Sequence, residues 1–244
     1  MNDYTDKEEF DFIESLYNEA DKQIKEVYKE QKNNRDELLK QIATIMLAYT
    51  ILNDFMKLSK TDKKKEYNRL SKLITKAIQG EGVTQNKVIK DILTGTVNKT
   101  FEFYSYNANL KDVREIIENN FKGKHFSDRV WGHDNDVAKL LHKQTQDFLN
   151  GKINVNQIKK NIEKTYNTSA YNIKRLVDTE VNRCEDESFK RFCRETNVEK
   201  VMRNEILDMV TCSECEELNG IIYDLDDAPG VIHPLCRGFN TIVK

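Results

Sequence analysis

Residues 211–238 read TCSECEELNGIIYDLDDAPGVIHPLCRG and hold three of the chain's five cysteines and one of its four histidines. Cys212 and Cys215 form a C-x-x-C pair, His233 and Cys236 form an H-x-x-C pair, and seventeen residues separate the two. The spacing is close to a C-x2-C-x15–20-C-x2-C zinc pattern with His in the third position. Two ligands that flank a two-residue turn can curl around one ion, and two such halves complete a tetrahedron. Thiolate and imidazole donors suit Zn²⁺, and four protein ligands leave no open position, so the expected metal is structural, not hydrolytic. Binding free energies of roughly 10–16 kcal/mol in small zinc modules exceed what so short a tail gains from its own core. Two other readings of the spacing stay open. One is a turn module in which these side chains merely pack, and the other is a redox C-x-x-C.

Between the two pairs, the turn signal at Leu218-Asn219-Gly220, the β-formers Ile221, Ile222 and Tyr223, a second turn at 226–230 and a return at Val231 predict a β-hairpin. Pro234 biases His233 to extended backbone. Phe239 to Val243 reads as a further strand, and Val198 to Ile206 as a strand leading in.

Outside this stretch the chain reads as helix. Of 244 residues, 33% are charged and 38% hydrophobic, with only nine Gly and two Pro and a mean hydropathy of −0.72. Few breakers and many Lys and Glu predict long helices with wet outer faces. A net charge of −2 supplies no global attraction to nucleic acid. The acidic, polar start does not read as a signal peptide, and no apolar run approaches the length of a membrane span. Five cysteines clustered as C-x-x-C fit a reducing compartment better than a disulfide framework.

Apolar spacing predicts a helix over 6–31, interrupted at Asn33-Asn34, and a second over 35–58 with a wide stripe from Leu38 to Met56. A lysine-rich helix follows, with Lys57, Lys60, Lys63, Lys64, Lys65, Arg69, Lys72 and Lys76, diluted by Asp62 and Glu66, on a face better read as solvated than as lying against phosphates, ending at Gly80-Glu81-Gly82. Further helices are predicted over 88–104, over 109–120, from a cap at Ser127 to Gly151, from a cap at Asn154, and from a cap at Thr168 or Ser169 through Phe192. His125, His133 and His142 read as surface residues, and Cys184 as a buried thiol. The fold class is therefore mainly α: elongated multi-helix N-terminal and central regions with a small, zinc-stabilised C-terminal β-hairpin module. The linear division is 1–109, an N-terminal helical region; 110–197, a helical middle; and 198–244, the knuckle module.

The order of features then becomes informative. FSDRVW at 126–131 precedes a long helix, LVDTEVNR follows at 176–183, a strand leads to TCSEC, and HPLCR closes the set at 233–237. Over residues 110–240 this resembles the phage head morphogenesis family, the Mu F-like minor capsid proteins. The family's motif positions fall on Phe126, Arg129 and Trp131, on Thr179 and Glu180, and on Cys212, Cys215, His233, Pro234, Cys236 and Arg237. There are two departures: Asp178 stands where the family often has Arg, and Gly238 stands where it often has a last Cys.

The resemblance implies a low-copy head protein of the virion that associates with the portal inside the capsid. Assembly would take place in the host cytoplasm, with scaffold, major capsid protein and viral DNA as further partners in packaging, retention or ejection. It implies no enzyme and no membrane. Co-occurrence of the motifs suggests that Glu180 pairs with Arg237 in a bidentate bond.

Catalytic alternatives fit the pattern less well, a His-Cys nuclease being the best of them. A zinc deaminase needs H-x-E with P-C-x-x-C, but His233 is followed by Pro-Leu and Cys212 is preceded by Thr211. A His-Cys nuclease needs a catalytic His beyond the ligands. A zinc-ribbon nucleic-acid-binding protein is the alternative from a different class, although Lys and Arg are sparse within 211–238.

Overall fold

The computed structural model describes residues 5–207 and 211–243. It is mainly α-helical, with a small antiparallel sheet near the C-terminus. The helices are α1 (Asp6–Gln23), α2 (Lys25–Ala48), α3 (Lys60–Phe103), α4 (Leu110–Glu118), α5 (Phe126–Leu149), α6 (Val155–Glu195) and the six-residue α7 (Ser213–Leu218). The strands are β1 (Thr50–Leu52), β2 (Phe55–Lys57), β3 (Lys200–Asn204), β4 (Ile222–Asp224) and β5 (Phe239–Ile242). None of the described helices is long and apolar enough to cross a membrane.

Several helix starts are capped; of the caps the sequence predicts, Asn154 serves, whereas Ser127 lies one residue inside α5. Thr5 closes a capping box on α1, and Asn109 does so on α4. The Asn154 side chain accepts from the N–H groups of residues 156 and 157 to open α6. Gly151, at φ +67°, ends the segment after α5.

Four boundaries differ from the sequence reading. The first break falls at Ile24 and not at Asn33-Asn34, because Asn34 donates its amide to Glu81 at 2.7 Å and does not compete for its own backbone. The second predicted helix stops at Ala48, and 50–57 fold back as a two-stranded hairpin whose turn, Asn53-Asp54, is left-handed at φ 51° and 66°. The glycines at 80 and 82 do not end a helix, since α3 runs 44 residues through them. The expected start at Thr168 or Ser169 is interior to α6, where the buried Ser169 hydroxyl accepts from Gln31 at 2.9 Å.

The chain packs as two compact units assembled from discontinuous segments, and they do not follow a linear division at 109 and 197. One comprises 25–87 and 127–173. Its core joins Leu38 and Ile42 from α2, Leu70 and Ile74 from α3, Leu141 and Phe148 from α5, and Ile158 and Ile162 from α6, with Met56 of the hairpin inserted. The other comprises 1–24, 88–126 and 174–244, with Tyr104, Phe189, Cys193, Val201 and Leu225 at its centre.

In this second unit β3 is the middle strand, antiparallel to β4 on one side and β5 on the other. The hairpin predicted between the two ligand pairs does not form. Ile222–Asp224 pairs with Met202–Lys200, and Val231 lies outside any strand. The reason is local: Pro229 gives its carbonyl to the Arg203 and Asn240 side chains, which ties the segment down by side-chain bonds and not by a ladder.

Candidate metal centre

Residues 177–186 of α6 are buried on every side, although six of the ten are charged or amide-bearing. A helix buried all round must satisfy its polar groups internally, and here they serve as fastenings. Thr179 accepts from the Leu235 N–H at 3.3 Å, and Asn182 donates to the Gly238 carbonyl at 2.7 Å. Asp186 accepts from Asn240 at 2.8 Å, and Lys190 donates to the Ala228 carbonyl at 2.8 Å. Positions 179, 182, 186 and 190 recur at helical spacing, so one stripe of α6 holds residues 228–240.

The held segment carries half of the ligand set. His233, Pro234, Leu235 and Cys236 form a tight turn in which the Cys236 N–H meets the His233 carbonyl at 3.1 Å. Leu235 sits at φ +69°, a left-handed backbone that a branched side chain adopts only under constraint. The other half comes from α7. Cys212 stands at its N-cap, and the buried Cys215 lies one turn on.

The four side chains converge. His233 Nε2 lies 3.1 Å from both the Cys212 and the Cys215 sulfur, and the Cys215 and Cys236 sulfurs are 3.9 Å apart. Zn–S and Zn–N bonds of about 2.3 and 2.05 Å in a tetrahedron give edges of about 3.8 Å for S···S and about 3.6 Å for S···N. The observed sulfur–sulfur edge matches, and the sulfur–nitrogen edges are shorter by about half an ångström, so a modest opening accommodates an ion. Cys212, Cys215, His233 and Cys236 thus lie close enough to hold a metal ion.

Burial and neighbouring hydrogen bonds set the protonation of these groups. Burial pushes the Cys215 thiol up, reinforced by the neighbouring Cys236. The Cys215 backbone N–H bonded to the Cys212 sulfur draws that thiol down. The Pro234 carbonyl, 2.9 Å from Nδ1, draws the His233 imidazole up and fixes its orientation. A carbonyl on the remote ring nitrogen is the usual support of a metal-binding histidine.

The remaining motif residues disperse. Phe126, the first residue of α5, is buried against the His125 ring at 4.3 Å between centroids. Arg129 is half-buried on the same helix. Trp131 is partly exposed and lies over the Cα of Gly82, where a Cβ would overlap the indole. This explains a glycine inside α3. Glu180 does not make the bidentate bond expected with Arg237. One of its oxygens accepts from Arg183 at 2.7 Å, the other has no hydrogen-bond partner among the described residues, and the Arg237 charge bears on Asp178 instead. Pro234 is exposed and Arg237 half-buried. The histidines expected at the surface are half-buried. His133 lies 3.2 Å from the Ser169 hydroxyl, and burial lowers the His142 pKa.

Sequence reasoning missed Arg203 and Glu205. Arg203 is fully buried on β3, its Nε donating to Glu205 at 2.8 Å and its Nη2 to the Cys236 sulfur at 3.3 Å. Opposite charges two residues apart near the end of a strand share a face, and that alternation was the available signal. Gly238 also has its account here, since a Cβ at this position would overlap both side chains. Comparison with known protein families, with curated proteins and with solved structures finds no match.

Proposed function

We propose that this chain is a structural minor capsid protein of a tailed phage or prophage. It associates with the portal inside the procapsid and aids assembly, and its C-terminal module is closed by Zn²⁺ on Cys212, Cys215, His233 and Cys236. The observation that carries the reading is the seam between Thr179-containing α6 and the His233–Cys236 turn. Motif pieces more than fifty residues apart, which the resemblance groups together, meet in one hydrogen-bonded contact beside the converged thiols. The donor chemistry, three sulfurs and one imidazole brought close together, favours zinc. With four protein donors the ion has no vacant position for water, so its part is to hold the fold, and the role is structural, not catalytic.

The test is co-purification of tagged protein with assembling heads and portal, with zinc content measured on the same samples. Wild type is expected to carry zinc and to associate, and Cys212→Ser/Cys215→Ser to lose both. Wild type that stays apart from heads and portal while capsids form overturns the capsid reading, whatever its zinc content.

One observation favours a second reading, a zinc-bearing nucleic-acid-binding protein. Lys60, Lys64, Lys72 and Lys76 are exposed and fall along α3 at multiples of four residues, with Lys65 and Arg69 beside them. Such a stripe can neutralise phosphates, and its signature is affinity that falls steeply with salt. Tight, salt-dependent duplex binding together with no association with heads would favour that reading.

A further inference from the structure

Cys215 belongs to two overlapping groups of donors. One is Cys212, Cys215 and His233, and the other is Glu205, Cys215 and Cys236, with ligand atoms within 4.8 Å of one another in each. A carboxylate is a competent zinc ligand. Proximity alone therefore leaves Glu205 and Cys236 as rivals for the fourth position. We propose that Arg203 is the positioning residue that decides between them: it holds the Cys236 sulfur in the ligand shell and keeps the Glu205 carboxylate out of it. The proposal rests on the metal reading above and adds to it a device that selects the ligand set.

The geometry is that of a fork between two acceptors. The Arg203 Nε donates to the Glu205 carboxylate at 2.8 Å, Nη2 to the Cys236 sulfur at 3.3 Å and Nη1 to the Pro229 carbonyl at 3.0 Å. Three acceptors, one at Glu205 and two in the 228–240 segment, fix the guanidinium plane. Its backbone is equally fixed, because β3 is the central strand and the Arg203 carbonyl accepts from Gly220 at 2.7 Å. Asn219 accepts from the Glu205 N–H at 2.9 Å, which anchors the carboxylate's own backbone. Gly238 closes the far side of the pair, so neither side chain can swing away without displacing the chain there.

Arginine suits the task because it stays charged under all ordinary conditions and presents several donors in a rigid plane. Lysine would offer a point charge on a flexible stem. The guanidinium already answers the Glu205 charge, so that carboxylate gains little from binding the ion. The N–H···S bond orients the Cys236 sulfur, as outer hydrogen bonds orient ligands in other metal sites. Without Arg203 the balance reverses. Glu205 would be a buried carboxylate with no cation, beside an ion it can reach.

The test uses the full-length chain loaded with Co²⁺, whose visible bands report coordination number and whose sulfur-to-metal charge-transfer band reports thiolate count. Wild type is expected to show a four-coordinate spectrum with three thiolates. Arg203→Met should still bind Co²⁺ but lose about one-third of the charge-transfer intensity as Glu205 replaces one of three sulfurs, with affinity in chelator competition down about 10–100-fold. Arg203→Met/Glu205→Gln should recover the wild-type spectrum, which a merely structural loss at Arg203 would not do. Arg203→Lys, which keeps the charge but not the fork, should fall between, and it decides the matter if Arg203→Met does not fold. A wild-type spectrum in Arg203→Met, in Arg203→Lys when that is the deciding variant, or failure of the double variant to restore the band, overturns the selection role. Absence of Co²⁺ binding by wild type would instead overturn the metal reading itself.

Discussion

In the unit formed by 1–24, 88–126 and 174–244, buried carboxylates meet cations: Glu180 with Arg183 at 2.7 Å, Glu205 with Arg203 at 2.8 Å and Asp186 with Lys190 at 3.0 Å. In the unit formed by 25–87 and 127–173, Glu81 and Asp134 are just as buried, but amides answer them, Asn34 at 2.7 Å and Gln85 at 3.1 Å. The first arrangement has the ions partly neutralise one another and spends hydrogen bonds on geometry. The second leaves charge unanswered and lets protons compensate. Glu185, fully buried beside Asp186, is an exception in the first unit, and burial drives its carboxyl well up. Glu66, reached by Arg69 at 3.1 Å, is the exception in the second. The difference suggests that paired buried charge is placed where residues far apart in sequence must be held in one geometry, as around the four candidate ligands.

The largest effect should come from disrupting the proposed metal centre on the paired side. Structural zinc in small modules contributes roughly 10 kcal/mol or more, and the six-residue α7 is tied to the His233–Cys236 turn through the candidate ligands. Chelation, or Cys212→Ser/Cys215→Ser, is expected to open residues 198–243 to protease and to raise amide exchange in β3, β4 and β5. The 25–87 and 127–173 core, which contains none of the ligands, should keep its protection. Uniform loss of protection across both units would break the contrast. Unchanged protection of the sheet would show that its packing does not depend on metal.

How much of this was legible depends on the range of the interaction. The ligand pairs at 212/215 and 233/236 could be read because each is local and its spacing is dictated by coordination geometry. Helix stripes and the cap at Asn154 could be read for the same reason. Gly80 and Gly82 misled because a glycine in a helix costs only about 1 kcal/mol, less than α3 gains from the burial of Leu70, Ile74 and Ile89 along its length. The reason for Gly82 is Trp131, 49 positions away in the chain, and no local pattern announces it. The sequence pairs β4 with the wrong strand because turn signals favour the nearest return, whereas an edge of β3 offers better pairing from a distance. Arg203 could have been found only by asking why a strand carries Arg and Glu on one face.

The next effect belongs to the unpaired side. The groups facing Glu81 are Glu30, Gln31 and Asn34 from α2, Asp134 from α5, Tyr166 from α6 and its own helix's Gln85, bonded to Asp134. None of these is cationic. Burial pushes the Glu81 carboxyl up to about 7 and the Asp134 carboxyl up to about 6, against ordinary values of 4.5 and 3.8. A raised folded-state value means that the folded protein keeps a proton the unfolded chain has released. The contribution is therefore complete below the unfolded values and is lost as pH climbs through 6 and 7. For Glu81 the span corresponds to about 3 kcal/mol, several degrees in Tm for a chain of this size. The Tm of wild type minus that of Glu81→Gln should fall by that amount between pH 5 and pH 8, with any metal-linked pH dependence cancelling in the difference. Parallel melting profiles would show that another group, or a bound cation, neutralises the site.

The smallest effect concerns two glycines on α3, one in each unit. A Cβ at Gly95 meets nothing within 4 Å, so Gly95→Ala should add roughly 0.5–1 kcal/mol, as alanine does wherever a helix has room for it. At Gly82 the same backbone gain is opposed by overlap with the Trp131 ring and the unpaired Asp134 oxygen. Overpacking of this kind costs about 1–3 kcal/mol, so Gly82→Ala should melt slightly below wild type. Because Trp131 is the chain's single tryptophan, its emission should shift in Gly82→Ala and stay put in Gly95→Ala. That pairing separates a packing fault from a general change in helix strength. If Gly82→Ala instead melts above wild type with unshifted emission, the indole does not rest on α3, and the glycine would need another reason for its place between two buried carboxylates.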